Sequence, residues 1–169
     1  ADGYAGLNHF LRAAVGRYVI ICHQDVALDF DDRAVLERCI ADMDARDPDW
    51  AVLGNAGYGD FAENLCRVSD PWGDNRKHGG LPCKARSLDE NFLVVKNAAN
   101  LALSHDLQGF HLYATDLCAI ARILGWNSYV VDFHLGDLHC LFHCYVTRRF
   151  GTGLLRSPFN AEFFLQEGG

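Results

Sequence analysis

Hydrophobic positions recur at helical spacing from the start of the chain. Tyr4, Leu7, Leu11, Ala14 and Val15 share one face of a helix predicted over residues 4–15, and Gly16 is placed to end it. The pattern then changes. Tyr18-Val19-Ile20-Ile21-Cys22 is a short, wholly apolar run rich in β-branched residues, the signature of a strand buried on both faces. Asp31-Asp32 offers caps for a second helix, whose apolar stripe is Val35, Leu36, Cys39, Ile40 and Met43, with Pro48 just beyond its end. Trp50-Ala51-Val52-Leu53-Gly54 reads as another strand, which completes a strand–helix–strand unit expected to be right-handed.

From Gly57 to Ser87 the periodicity degrades and Gly, Asp, Asn and Pro dominate. A hairpin is predicted there, with arms at Cys66–Ser69 and Pro82–Arg86. Phe92–Val95 is a further strand. Thr115 is positioned to cap a helix running through Leu124, with Leu117, Ile120, Ala121 and Leu124 inward and Gly125 at its end. Ser128–Val131 is the last clear strand, and the tail beyond residue 140 has aromatic residues but weak periodicity. Alternating short apolar strands and amphipathic helices predict a single α/β domain over 1–169: a mostly parallel mixed sheet with flanking helices, a core over 4–140 and a carboxyl-terminal tail over 141–169.

Composition narrows the function. Half of the 169 residues are hydrophobic and the net charge is −7, with no basic run denser than Arg148-Arg149. That balance argues against nucleic-acid binding, which needs a basic footprint. No uncharged apolar run is long enough for a membrane span, and Ala1-Asp2-Gly3-Tyr4 lacks the basic and apolar regions of a signal peptide. Seven cysteines, an odd number scattered through apolar segments, read as reduced thiols in a cytoplasmic protein.

Chemistry-bearing residues fall at particular places in this pattern. His23-Gln24-Asp25 follows the first buried strand, and in open α/β sheets the carboxyl ends of strands face the ligand crevice. A carboxylate there suits a hard divalent cation, and equally caps a loop. Asp89-Glu90, before the strand Phe92–Val95, can orient sugar hydroxyls or act as a base, or form a solvated turn. Asp116, in the Gly109-Phe110-His111-Leu112-Tyr113-Ala114-Thr115-Asp116 stretch, is a helix-dipole residue or a catalytic carboxylate. His134, His139, Cys140, His143 and Cys144 have zinc-ligand chemistry without the spacing of a zinc finger.

The order of these signals resembles the family-2-like glycosyltransferases of the GT-A fold, from residue 4 to about residue 140. The resemblance implies transfer of a sugar from a nucleotide-sugar donor to a hydroxyl of a glycan, lipid or protein acceptor, in an inverting displacement that depends on Mn²⁺ or Mg²⁺. It places His23, Gln24 and Asp25 at the donor nucleotide, with His23 standing where the family has an aspartate. It places Asp25 and His139 (alternatively His134) on the metal, Asp89, Glu90 and His111 at the donor sugar or the acceptor, and Asp116 as catalytic base. It also implies an amino-terminal nucleoside-binding segment that this chain lacks. Two other functions fit the residues: a non-catalytic sugar- or nucleotide-binding relative, and a zinc-binding interaction domain built on 134–144.

Overall fold

The computed structural model describes residues 2–137 and, as backbone strands, residues 155–156 and 161–166. His139, Cys140, His143 and Cys144 lie outside the described residues, so the zinc reading of 134–144 does too. In chain order the elements are α1 (Gly3–Ala13), β1 (Tyr18–His23), β2 (Val26–Ala27), α2 (Arg33–Arg46), β3 (Trp50–Gly54), β4 (Ala56–Tyr58), β5 (Asn64–Asp70), β6 (Gly73–His78), β7 (Cys83–Lys84), β8 (Ser87–Leu88), β9 (Phe92–Lys96), α3 (Tyr113–Ile123), β10 (Asn127–Val130), β11 (Leu135–Asp137), β12 (Leu155–Arg156) and β13 (Ala161–Gln166).

Two sheets organise the molecule. The first has the order β12-β13-β1-β9-β3-β10-β7, and the second the order β2-β11-β5-β4-β8 with β6 on the other edge of β5. The expectation of a mostly parallel sheet is corrected here. β9 runs antiparallel to both β1 and β3, so the first sheet is mixed at its centre. β1 and β3 are therefore not neighbours; β9 separates them. The chain reaches β9 only after its excursion through the second sheet, and it enters from the end opposite to β1 and β3. Part of the tail joins this sheet, with β13 parallel to β1 in the register Tyr18↔Ala161 to His23↔Gln166.

Successive residues of the central strands feed two cores. Val19, Ile21, Leu93 and Val95 pack with α1 and α3, whereas Tyr18, Ile20, Cys22, Phe92 and Val94 pack with α2. This explains why β1 and β9 show no polar alternation: both faces are covered. α1 contributes Tyr4, Leu7, Phe10 and Leu11 to one core, and α2 contributes Leu36, Ile40 and Met43 to the other. Each such side chain stabilises the fold by about 1.5–3 kcal/mol through burial.

Several local expectations change. α1 is capped by Asp2, whose side chain accepts from the Ala5 N–H at 3.1 Å, and it ends at Ala13 rather than at Gly16. Asp32 caps α2 through the Val35 N–H, while Asp31 accepts from the His134 N–H at 2.6 Å. The hairpin is formed by β5 and β6, not by 66–69 with 82–86. α3 starts two residues before Thr115. Its entry residue is Leu112, in the left-handed region at φ 67°, and the Thr115 hydroxyl instead shares a 2.7 Å hydrogen bond with Ser87 Oγ. Cys22, Cys39, Cys66, Cys83 and Cys118 are free thiols, as expected for these five. Burial pushes the Cys22 thiol up to about 12, with the Asp25 charge adding to it, and pushes Cys39 up to about 11. Among the described residues, no helix is long and apolar enough to cross a membrane.

Candidate functional site

A groove of about 720 Å³ opens where the carboxyl end of β1 meets the second sheet and the start of α3. Its floor is one face of β5. Asn64, Cys66, Val68 and Asp70, at alternate positions, all line it. From Asn64 to Asp70 that face runs for roughly 20 Å at about 3.3 Å per residue. Gly57 of β4 lies against β8 so closely that a Cβ would sit 2.3 Å from the Ser87 carbonyl oxygen, so no larger residue fits this wall without moving the backbone. The aromatic side chains of Tyr58 and Trp72, 53% and 74% exposed, offer apolar faces in the same groove.

The polar wall is Asp89-Glu90-Asn91, the link between β8 and β9. Asp89 turns back on itself, its Oδ1 accepting from the Asn91 N–H at 3.0 Å. The Asn91 carbonyl accepts from the His23 N–H at 2.9 Å, which ties this link to the end of β1. Two acceptor atoms here are buried and have no hydrogen-bond partner among the described residues: Glu90 Oε1 and Asn91 Oδ1. Buried polar atoms are almost always paired, so two orphans in one groove wall call for an explanation.

Glu90 is further shaped by its neighbours. Burial raises its carboxyl above the usual range, partly opposed by the His23 charge, the Tyr113 backbone N–H and the His111 charge. His111 Nδ1 stands 3.8 Å from Glu90 Oε2. The Tyr113 hydroxyl donates to the Glu90 carbonyl at 3.0 Å and lies 3.1 Å from His23 Nε2. A phenol has one proton, so with that proton on the Glu90 carbonyl, His23 Nε2 must be the donor to Tyr113. His23 Nε2 thus carries a hydrogen, and Tyr113, fully buried at the head of α3, locks Glu90 against β1.

The groove therefore brings together His23, Asp89, Glu90 and His111 of the residues singled out in the sequence. The others lie elsewhere. Gln24 and Asp25 form the turn between β1 and β2 and are not among the residues lining the groove. His134 is buried, stacked on Phe30 at 4.1 Å, with Nε2 2.9 Å from Ser69 Oγ. Burial, helped by the nearby Arg67 charge, lowers its pKa. Asp116 also stands outside the groove lining, and both its carboxylate oxygens accept from Ser104, one from the backbone N–H and one from the hydroxyl, each at 2.7 Å. This pair pins the 100–112 loop to α3. Asp116→Ala is expected to destabilise the fold by about 1–3 kcal/mol in urea denaturation, because it leaves the Ser104 donors unmet; an unchanged midpoint would contradict that structural role.

Among the described residues, no group of three or more His, Cys, Asp or Glu is placed to hold a metal ion. Of the ligands implied for Mn²⁺ or Mg²⁺, Asp25 lies in the β1–β2 turn and His139 lies outside the described residues. The described residues do not complete that site. Sequence reasoning missed Tyr58, Trp72 and the β5 face, which reach the groove only through sheet pairing.

No family model matches the chain. A curated protein described as "ATP synthase subunits region ORF 6", from Fuscovulum blasticum, is 39% identical over 143 residues, covering 79% of this chain and 56% of that protein. The chain thus spans about half the length of the curated relative it matches. Neither finding supports the resemblance to family-2-like glycosyltransferases, since no family model matches and the relative's description names no sugar-transfer activity. That family assignment is withdrawn.

Proposed function

We propose that the chain carries the acceptor site of a transferase that passes a sugar from a nucleotide-sugar donor to a hydroxyl group, with Glu90 as the base. The observation that carries this reading is the buried, unpartnered Oε1 of Glu90 in the wall of an extended groove. A carboxylate held partly out of water, with one oxygen short of a donor, is suited to accept a proton from a bound hydroxyl. The aromatic faces of Tyr58 and Trp72 suit the apolar faces of sugar rings, and Asp89 and Asn91 provide directional contacts for ring hydroxyls. The groove is assigned to the acceptor because its carboxylates would repel a donor's diphosphate.

In the proposed step an acceptor hydroxyl hydrogen-bonds to the Glu90 carboxylate. As its oxygen forms a bond to the anomeric carbon, the bond from that carbon to the nucleotide diphosphate breaks, and the leaving group departs with the electron pair. The hydroxyl proton passes to Glu90. Attack opposite to the leaving group inverts the anomeric centre. Tyr113 and His23 act as positioning residues, since they hold the Glu90 backbone and not the substrate.

The test uses the whole gene product containing this chain, incubated with a panel of nucleotide sugars and short oligosaccharides, with released nucleotide diphosphate quantified. Release that depends on an oligosaccharide is the expected result. Absence of release across the panel, or release indifferent to the acceptor, would overturn the reading.

A further inference from the structure

The charge of the groove restricts what can lie in it. Its walls carry Asp89 and Glu90, and Arg76 is the one Lys or Arg among the described residues lining it. That guanidinium is engaged by Asp70 in an ion pair, so its charge is already answered. Acidic residues alone would say little, because they are ordinarily hydrated surface. The groove also contains Asn91, 5% exposed, whose Oδ1 is buried and without a partner, beside the equally orphaned Glu90 Oε1. Both orphans are acceptors. A ligand that satisfies them must present hydrogen-bond donors, and an anionic group at that place would leave them unmet while adding like-charge repulsion.

We infer that the groove selects an amino-substituted oligosaccharide over a neutral one and rejects an acidic one, the ammonium group of the ligand lying at the Asp89–Glu90–Asn91 link. The inference rests on the acceptor-site reading above and specifies its substrate class. Ammonium carries three donors and a positive charge, so it answers Asn91 Oδ1 and the Asp89 carboxylate together and leaves Glu90 Oε1 to the reacting hydroxyl, where a hydroxyl in its place would supply one donor and no charge. The length of the β5 face calls for a ligand of several rings, which sets the choice of probe.

The experiment is calorimetric titration of the gene product with three trimers of matched length: glucosamine, glucose and galacturonate, below the pH at which the amine loses its proton. The glucosamine trimer is expected to bind about tenfold more tightly than the glucose trimer, and the galacturonate trimer more weakly than either, with the preference shrinking as salt is added. Asp89→Asn keeps Oδ1 as acceptor for the Asn91 N–H, so the link persists, and it should cut the amine preference to about threefold or less. Equal binding of the glucosamine and glucose trimers, or tight binding of the galacturonate trimer, overturns this inference while leaving the acceptor-site reading in place. Failure of all three to bind overturns the acceptor-site reading itself, and this inference falls with it.

Discussion

Glu90→Gln is expected to lower the rate of sugar transfer by about 10²–10⁴-fold while leaving acceptor binding within a few-fold of wild type, because general-base assistance is worth that much and glutamine cannot take the proton. Glutamine keeps the shape of the side chain and one acceptor oxygen, so the Tyr113 hydroxyl keeps its contact to the Glu90 backbone carbonyl and the Tyr113 backbone N–H keeps an acceptor on the side chain. The pH dependence follows from the direction of the shift. Burial holds the Glu90 carboxyl above its ordinary value of 4.5. Wild-type kcat/KM should therefore rise with pH along an acid limb that lies above 4.5, as the base becomes charged. Over the same interval the folded state binds more protons than the unfolded state, so Glu90 makes the fold less stable as pH rises. Both trends should vanish in Glu90→Gln. Single-turnover transfer and denaturant titrations across pH check them. A variant that transfers sugar within a few-fold of wild type would remove Glu90 from the chemistry, with Asp89 the next carboxylate in the groove.

The parts of the fold that were legible are those governed by local periodicity. Leu36, Ile40 and Met43 mark the buried stripe of α2 at helical spacing, and the unbroken apolar run of β1 announces a strand covered on both faces. Strand direction carries no such signal. Phe92–Val95 would bury the same side chains in either direction, and its antiparallel placement between β1 and β3 is decided by the route of the chain. β6 was invisible for a different reason. Gly73–His78 is polar and mostly exposed, and it is a strand because β5 offers an edge to pair with. Thr115 illustrates a local signal overridden: it has the chemistry of a cap, but Leu112 at positive φ starts the helix earlier and leaves the hydroxyl to Ser87.

The site divides along the same line. Asp89-Glu90 and His111 were readable because ionisable residues beside a strand or a helix start are unusual enough to notice. Their convergence with His23 was not, since it depends on β9 folding back beside β1 and on Tyr113 bridging the two. Asp116 shows the reverse case, a residue whose partner is hidden from the sequence. It had the residue type and helix position of a base, yet its two oxygens are both held by Ser104, a partner twelve positions away that no periodicity reveals.

Trp50→Ala is expected to cost about 3–5 kcal/mol, the range for removing a large buried aromatic, and to be the most damaging single change in the core of the first sheet. Trp50 is fully buried, lies parallel to the Tyr18 ring at 5.8 Å between centroids, and has the Lys96 ammonium 4.4 Å from its ring centre. Its indole N–H donates to Asp44 Oδ1 at 2.9 Å, and the same carboxylate accepts from the Tyr18 hydroxyl at 3.0 Å. One side chain thus fills volume, seats a cation and anchors a carboxylate. Trp50→Phe separates these roles, since it keeps most of the volume and loses the donor, for an expected cost of about 1–3 kcal/mol. Acid should distinguish the two losses. Burial alone would raise the Asp44 carboxyl, but the hydrogen bonds from Trp50, Lys96 and Tyr18 hold it below its ordinary 3.8. The stability that Asp44 provides is therefore present above that value and lost as pH falls through its lower folded value. The gap between wild type and Trp50→Phe should narrow from pH 7 to pH 3 in urea denaturation, whereas the cavity cost of Trp50→Ala should largely remain. A Trp50→Ala protein destabilised by less than about 1 kcal/mol would show that the β1–β9–β3 core is not packed around this ring.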